Sequence, residues 1–256
     1  MQRSTTLENV PTDRNAQHAV IEQARESLGE IILGKNEQLS LALACLLARG
    51  HLLIEDLPGL GKTMLAQALA RVLGLSFRRI QFTSDLLPAD IIGVSVFRQE
   101  SGEFEFQPGP VFSQLILADE VNRATPKAQS ALLEAMEEQQ VSVDGNTRDL
   151  PSPFFVVATQ NPGDQIGTFP LPESQLDRFL MRIEIGYPNE ESERELIAGE
   201  DRRSMLKDIE PVTGPETLVL LQQAVRAVPV TDALVSYVQA LVRQTRESAD
   251  IEIGLS

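Results

Sequence analysis

The sequence predicts an α/β fold, a parallel sheet flanked by helices and followed by a smaller all-helical region. Three observations carry this. Short apolar runs alternate with segments of helical period from about residue 17 to residue 187. The first run, Leu52 to Ile54, passes through a Gly- and Pro-containing loop straight into a helix, reading His51-Leu52-Leu53-Ile54-Glu55-Asp56-Leu57-Pro58-Gly59-Leu60-Gly61-Lys62-Thr63. Beyond Tyr187-Pro188 only helical patterns remain. The expected organisation is a flexible lead-in over 1–16, an α/β core over 17–187 and a helical region over 188–256.

Taken in order, the polar lead-in gives way to a helix from Gln17 to about Ile32, broken at Gly34. A nearly all-apolar helix, Glu37 to Ala48, leads into the first strand. The helix after the glycine loop, Met64 to Leu73, stops at Gly74, and Ser76 to Phe82 resumes as a strand. Val94 to Phe97 and Glu103 to Phe106 flank a turn at Ser101-Gly102, a hairpin pattern. Leu115 to Ala118 is a buried strand ending in Asp119-Glu120. In Pro126 to Gln139, residues Ala128, Ala131, Leu132, Ala135 and Met136 share one face. Val141 to Leu150 reads as a second hairpin turning at Asp144-Gly145-Asn146. Phe154 to Thr159 and Met181 to Ile185 complete the sheet. Three helices are expected beyond it: Glu190 to Leu206, Pro215 to Arg226 and Asp232 to Arg246.

Composition narrows the function classes. The chain has 256 residues and a formal net charge of −15, which repels nucleic acid and acidic membranes over much of the surface. That counts against a nucleic-acid motor. The longest apolar run, Leu39 to Ala48, falls well short of the roughly 20 residues that span a bilayer. Met1 to Arg14 contains no apolar secretory region, so the cytoplasm is the default compartment. The one cysteine, Cys45, sits inside the apolar helix and reads as buried and inert. His18 and His51 lack metal or triad spacing.

Strand, glycine loop, Lys-Thr and helix together form the layout of a phosphate-binding loop. Its backbone N–H groups and the helix N-terminus create positive potential for phosphate oxygens. The expected nucleotide contacts are Pro58, Gly59, Leu60, Gly61, Lys62, Thr63 and Met64. Lys62 reaches the β- and γ-phosphates, and the Thr63 hydroxyl ligates Mg²⁺. The strict pattern has glycine where Asp56 stands, and Asp is expected to be tolerated there because it accepts unusual backbone angles. Downstream, Asp119 is placed to hold Mg²⁺ through water and Glu120 to polarise the attacking water. Asn161, ending the next core strand, is placed to hydrogen-bond the γ-phosphate, or else to form an Asx turn before Pro162. Arg178 either projects across a subunit boundary as a catalytic arginine or forms a surface ion pair with Asp177 or another acid. Arg123 is a second, weaker candidate for the same role.

These motifs resemble the MoxR family of AAA+ ATPases. The resemblance rests on Glu55 to Thr63, Leu117 to Ala124, Gln129 to Glu137, Gly102 to Pro110, Ala158 to Pro162 and Leu171 to Phe179, and it covers about residues 20–254. It implies an AAA+ P-loop NTPase core with a C-terminal all-helical lid. In its terms Asp56 to Thr63 is the Walker A loop and Asp119-Glu120 the Walker B pair. Asn161 stands at the sensor-1 position, and Arg178 is an arginine finger acting in trans. Gly34 lies in the segment that borders the adenine, and both hairpins face a ring's central pore. The resemblance further implies ATP and Mg²⁺ as cofactors and a homo-hexamer. Its clients are partner proteins, often with von Willebrand factor A domains, that are remodelled for metal-cofactor insertion or complex assembly. No nucleic acid and no membrane insertion are expected. The family's sensor-2 Ser-Pro-Arg segment does not occur before Ser256, so the lid reads as truncated and reduced turnover is expected. A nucleic-acid AAA+ motor and a nucleotide-dependent scaffold with weak hydrolysis are the alternatives.

Overall fold

The computed structural model of the chain describes residues 13–163, 167–251 and 254–255. It divides into two compact units, Met1–Gln222 and Gln223–Ser256.

In the first unit the elements run α1 (Arg14–Ile31), α2 (Asn36–Leu47), β1 (Leu52–Glu55), α3 (Lys62–Val72), β2 (Phe77–Gln81) and α4 (Pro88–Ile92). The hairpin β3 (Gly93–Arg98) and β4 (Glu103–Pro108) follows, then β5 (Leu115–Asp119), α5 (Pro126–Glu138) and a second hairpin, β6 (Gln140–Val143) and β7 (Asn146–Asp149). After these come β8 (Phe155–Gln160), α6 (Glu173–Leu176), β9 (Met181–Ile183), α7 (Glu190–Ala198), α8 (Arg202–Asp208) and α9 (Pro215–Arg226), whose last turns enter the second unit.

The five core strands form one parallel sheet in the order β2-β5-β8-β1-β9. Successive side chains point to opposite faces, so near-continuous apolar strands feed two separate cores. Leu52, Ile54, Leu115, Leu117, Phe155 and Val157 pack with α1, α2, α3 and α9 on one face. Leu53, Ile116, Ala118, Val156 and Ala158 pack on the other face against Ala128, Leu132, Leu133 and Met136 of α5. Because β1, β8 and β5 are neighbours, the loops at their carboxyl ends open side by side, the place where sheets of this kind bind ligands.

The elements expected from sequence are present, with three differences. The helix expected over Glu190 to Leu206 is two helices. Its path is broken after Gly199, and the Asp201 carboxylate starts α8 by accepting from Arg203 N at 3.1 Å. The strand expected to reach Ile185 stops at Ile183, because Ile185 N and Gly186 N donate instead to Asp56 Oδ2, at 2.8 and 2.6 Å. The helix α4 was not expected, being too short to show a period. Of the expected lead-in, residues 1–12 lie outside the described residues, and α1 begins at Arg14. The second hairpin turns at Asp144-Gly145, both with positive φ, the two-residue geometry that an Asp-Gly pair favours.

Cys45 is fully buried, and burial pushes its thiol up to about 12. His51 is buried too. Its Nδ1 accepts from Val156 N at 3.0 Å, which leaves Nε2 to donate to the Met136 carbonyl at 3.3 Å. In the second unit, α10 (Asp232–Glu247) is capped by the Thr231 hydroxyl and carries Leu234, Val235, Val238 and Leu241 exposed along one face. Among the described residues no helix is long and apolar enough to cross a membrane.

Candidate active site

A cavity of about 820 Å³ opens at the carboxyl edge of the sheet. Pro58, Gly59, Gly61, Lys62, Thr63 and Met64 from the loop after β1 line it, with Asp119 and Glu120 from the end of β5 and Asn161 from the end of β8. Gln67, Arg79, Arg203, Leu206 and Lys207 complete the wall. Leu60, Gly34 and Arg178 are not in the lining.

The loop is shaped by backbone. Gly59 and Gly61 both have φ +86, a region L side chains rarely adopt, and a Cβ on either would meet nothing within 4 Å. Gly61 caps α3, whose first N–H groups therefore face the cavity without a side-chain partner. Lys62 Nζ folds back onto the loop, donating to the Asp56 carbonyl and, at 3.0 Å, to that of Leu57. Burial lowers the Lys62 pKa, opposed by the charges of Asp56, Asp119 and Glu120.

Asp56 fills the position of the missing glycine for a reason other than backbone tolerance. It has no positive φ. Its buried carboxylate accepts from Leu57 N at 2.8 Å and from Ile185 N and Gly186 N beyond β9. The side chain staples the start of the loop to the segment leaving the sheet's edge strand.

The acidic strand end is held by side chains. Thr159, fully buried on β8, donates its hydroxyl to Asp119 Oδ1 at 2.6 Å and accepts from Glu120 N at 2.9 Å. Glu120 itself adopts left-handed backbone angles, φ 57 and ψ 50, a strained conformation for a non-glycine residue. Behind it, the buried Gln129 amide donates to the carbonyls of Val121, Ala124 and Phe169, fixing the turn that follows. Gln81 Nε2 and Arg123 Nη1 both donate to Glu120 Oε2, at 2.9 and 3.1 Å. Arg123 is thus engaged with the acid of its own chain. Arg79 donates through Nε and Nη2 to Asp119 Oδ2, at 3.0 and 2.5 Å.

Asn161 Oδ1 accepts from Gly163 N at 3.1 Å, so the Asx turn forms, and the amide also lines the cavity. Arg178 donates to the Leu133 carbonyl at 2.8 Å and pairs with Glu137 at 2.5 Å on α5. The acid beside it is Glu137, not Asp177. Gly34, at φ +69, packs so closely under α7 that a Cβ would lie 2.3 Å from Ser192 Oγ.

The residues missed by sequence are Arg79, Gln81, Thr159 and the pair Arg203 and Lys207. Thr159 carried a signal, a lone polar residue in an apolar core strand; the others depend on register and on the path of α8.

Backbone amides, one lysine and hard oxygen donors converge here on one cavity. Thr63 and Asp119 supply the sparse protein oxygens that suit Mg²⁺, which keeps waters and takes further ligands from phosphate. The donor set therefore fits a Mg²⁺-nucleoside triphosphate.

Comparison with known proteins agrees. Residues 51–181 match the ATPase family associated with various cellular activities (AAA). Over 228 residues the chain is 45% identical to the chaperone MoxR1 of Mycobacterium tuberculosis, covering 89% of this chain and 60% of that one. It is 36% identical over 190 residues to the protein MoxR of Paracoccus denitrificans, covering 72% of this chain and 56% of that one. The chain belongs to the MoxR family of AAA+ ATPases. It is also 46% identical to the uncharacterized Bacillus subtilis protein YeaC, covering 93% of this chain and 75% of YeaC. The crystal structure of a candidate ATPase from Cytophaga hutchinsonii superposes with a TM-score of 0.80 at 39% identity, over 90% of this chain and 69% of that one. The chain thus spans about three fifths or less of these two MoxR proteins.

Proposed function

We propose that this MoxR-family chain is the motor of a cytoplasmic, ring-forming chaperone that hydrolyses ATP with Mg²⁺ and remodels partner proteins, von Willebrand factor A domain proteins among them. The observation that carries the ATPase reading is the convergence of Lys62, Thr63, Asp119, Glu120 and Asn161 on one cavity. Lys62 and the loop amides hold the phosphates. Thr63 and Asp119 hold the metal, which neutralises charge developing on the phosphates. Glu120 orients and polarises the attacking water, and Asn161 positions the γ-phosphate. Gly34 and Leu60, outside the cavity lining, act by shaping the segments beside the base and the phosphate loop.

Arg178 is assigned to a neighbouring subunit's site. Its absence from its own chain's cavity and its seat on α5 support that role in a homo-hexamer. The two hairpins support a protein client. Phe97 and Phe104 stack edge-on across β3 and β4 at 5.3 Å and are more than half exposed, and Val94 and Val96 are partly so. Arg148 of β7 lies 4.0 Å over Phe106 of β4, which ties the two hairpins together. The formal charge of −15 favours a protein over a nucleic acid as client.

The test is steady-state ATP hydrolysis against protein concentration, for wild type and Arg178→Ala. Specific activity that rises with concentration, and is lost in Arg178→Ala, is the expected result. Concentration-independent turnover with a silent Arg178→Ala would remove the trans assignment. Turnover stimulated by DNA with a steep salt dependence would replace the protein client with nucleic acid.

A further inference from the structure

The carboxylate assigned to the metal is already occupied. Asp119 has a nearly buried side chain, and both of its oxygens are engaged. Oδ1 takes the Thr159 hydroxyl at 2.6 Å, and Oδ2 takes two N–H groups of the Arg79 guanidinium at 3.0 and 2.5 Å. Arg79 Nη2 also donates to Gln81 Oε1 at 2.7 Å, so the planar fork is fixed in this orientation. Arg79 comes from β2, where Ile80 and Gln81 pair with Ala118 and Asp119 of β5, which brings its side chain over the acidic strand end.

We propose that Arg79 is a positioning residue that reserves Asp119 until nucleotide is bound, so that metal and nucleotide load together. The proposal rests on the Mg²⁺-nucleotide reading of the cavity. A buried carboxylate left without a cation is costly, and Arg79 supplies that cation here. Before Asp119 can hold a metal, Arg79 must give up a two-pronged, charge-assisted contact. Without phosphate in the cavity, the released guanidinium has no free anion among the lining residues to turn to, since the other carboxylate there, Glu120, is engaged by Gln81 and Arg123. With a triphosphate present it does, because Arg79 lines the same cavity as Lys62 and Thr63. Its half-exposed side chain has room to make that turn. Arg79 thereby makes metal affinity depend on nucleotide, and linkage requires nucleotide affinity to depend equally on metal.

The experiment is Mn²⁺ titration of the nucleotide-free protein, with free Mn²⁺ read by electron paramagnetic resonance. Each variant is paired with the same variant carrying Asp119→Asn, so that only binding at Asp119 is scored. Arg79→Ala is expected to raise Asp119-dependent Mn²⁺ affinity about tenfold. With a non-hydrolysable ATP analogue bound, that advantage is expected to shrink or reverse. Arg79→Lys keeps the charge and loses the fork, so its gain is expected to be smaller; it decides the matter if the alanine variant does not fold. Equal Mn²⁺ affinity in wild type and variant without nucleotide overturns the proposal, as does a gain that survives Asp119→Asn. Wild-type ATP turnover, measured alongside, reads the ATPase proposal separately. A chain that hydrolyses no ATP while Arg79→Ala still gains Mn²⁺ refutes that reading and leaves this one standing.

Discussion

The two halves of the cavity are built by opposite means. The phosphate loop is placed by backbone, through two glycines in left-handed conformation, the amides opening α3 and a single staple at Asp56. The acidic strand end is placed by side chains, with Thr159, Arg79, Gln81 and Arg123 all reaching the carboxylates or backbone of Asp119 and Glu120. A backbone-built site tolerates sequence change except where φ is positive. A site built from a hydrogen-bond network depends on each member, since a partly satisfied buried network costs more than none. Substitutions on the two sides should therefore differ in kind.

The largest effect expected on the loop side is for Lys62→Ala. It removes the loop's one side-chain cation, the group proposed to hold the phosphates, and should cut ATP turnover about 10²- to 10³-fold with little change in melting temperature. On the network side, Thr159→Val keeps the shape and deletes the hydroxyl shared by Asp119 and Glu120. Turnover is expected to fall about 10-fold or more, and urea unfolding should show a loss of about 1–3 kcal/mol from the groups left unpaired. A loss of stability without loss of turnover would mean that Thr159 is only a core residue.

Beneath both halves, His51 fixes the start of β1 against β8 and α5. Burial lowers its pKa from the ordinary 6.5 to about 4. The unfolded chain therefore takes up a proton that the folded chain refuses as pH falls below 6.5. The stability conferred by neutral His51 is present above that pH and is lost progressively down to about 4, amounting to about 3 kcal/mol. Urea unfolding at pH 7.5 and 4.5 should show this slope, and His51→Asn should flatten it. An unchanged slope in the variant would assign the acid sensitivity elsewhere.

The smallest effect is expected for Asp56→Gly, which restores the glycine of the strict loop pattern. The staple to Ile185 and Gly186 is lost, for about 1–2 kcal/mol of stability, while ATP affinity stays within a few-fold of wild type. A large loss of ATP affinity would show that the staple, and not the backbone alone, shapes the phosphate loop.

How much of this was legible follows from the same contrast. The phosphate loop has fixed spacing within one short segment, so Gly59 to Thr63 could be read directly, as could the Asp144-Gly145 turn. The alternation of β1, β5 and β8 with helices gave the sheet, and the apolar runs gave its buried strands. Contacts set by register were closed to sequence reading. Arg79 and Gln81 meet the acidic pair only because β2 lies beside β5, and nothing in the run Phe77 to Gln81 names that neighbour. Asp56 stands out in the sequence as a departure from the strict loop pattern, but the reason for it does not, because Ile185 and Gly186, whose N–H groups it binds, lie 129 and 130 residues away. The break between α7 and α8 was hidden in a charged stretch, where Gly199 and Asp201 carry no apolar period to interrupt.

The most direct test of the central claim, that this one cavity binds and hydrolyses ATP, is the Glu120→Gln variant measured twice. Equilibrium ATP binding is compared with wild type, and so is steady-state turnover. The expected result is binding within about threefold of wild type and turnover lower by about 10²-fold or more, because only the carboxylate proposed to polarise the water is lost. Wild-type turnover in the Glu120→Gln variant would contradict the assignment of the acidic strand end, and absence of ATP binding in both proteins would contradict the site itself.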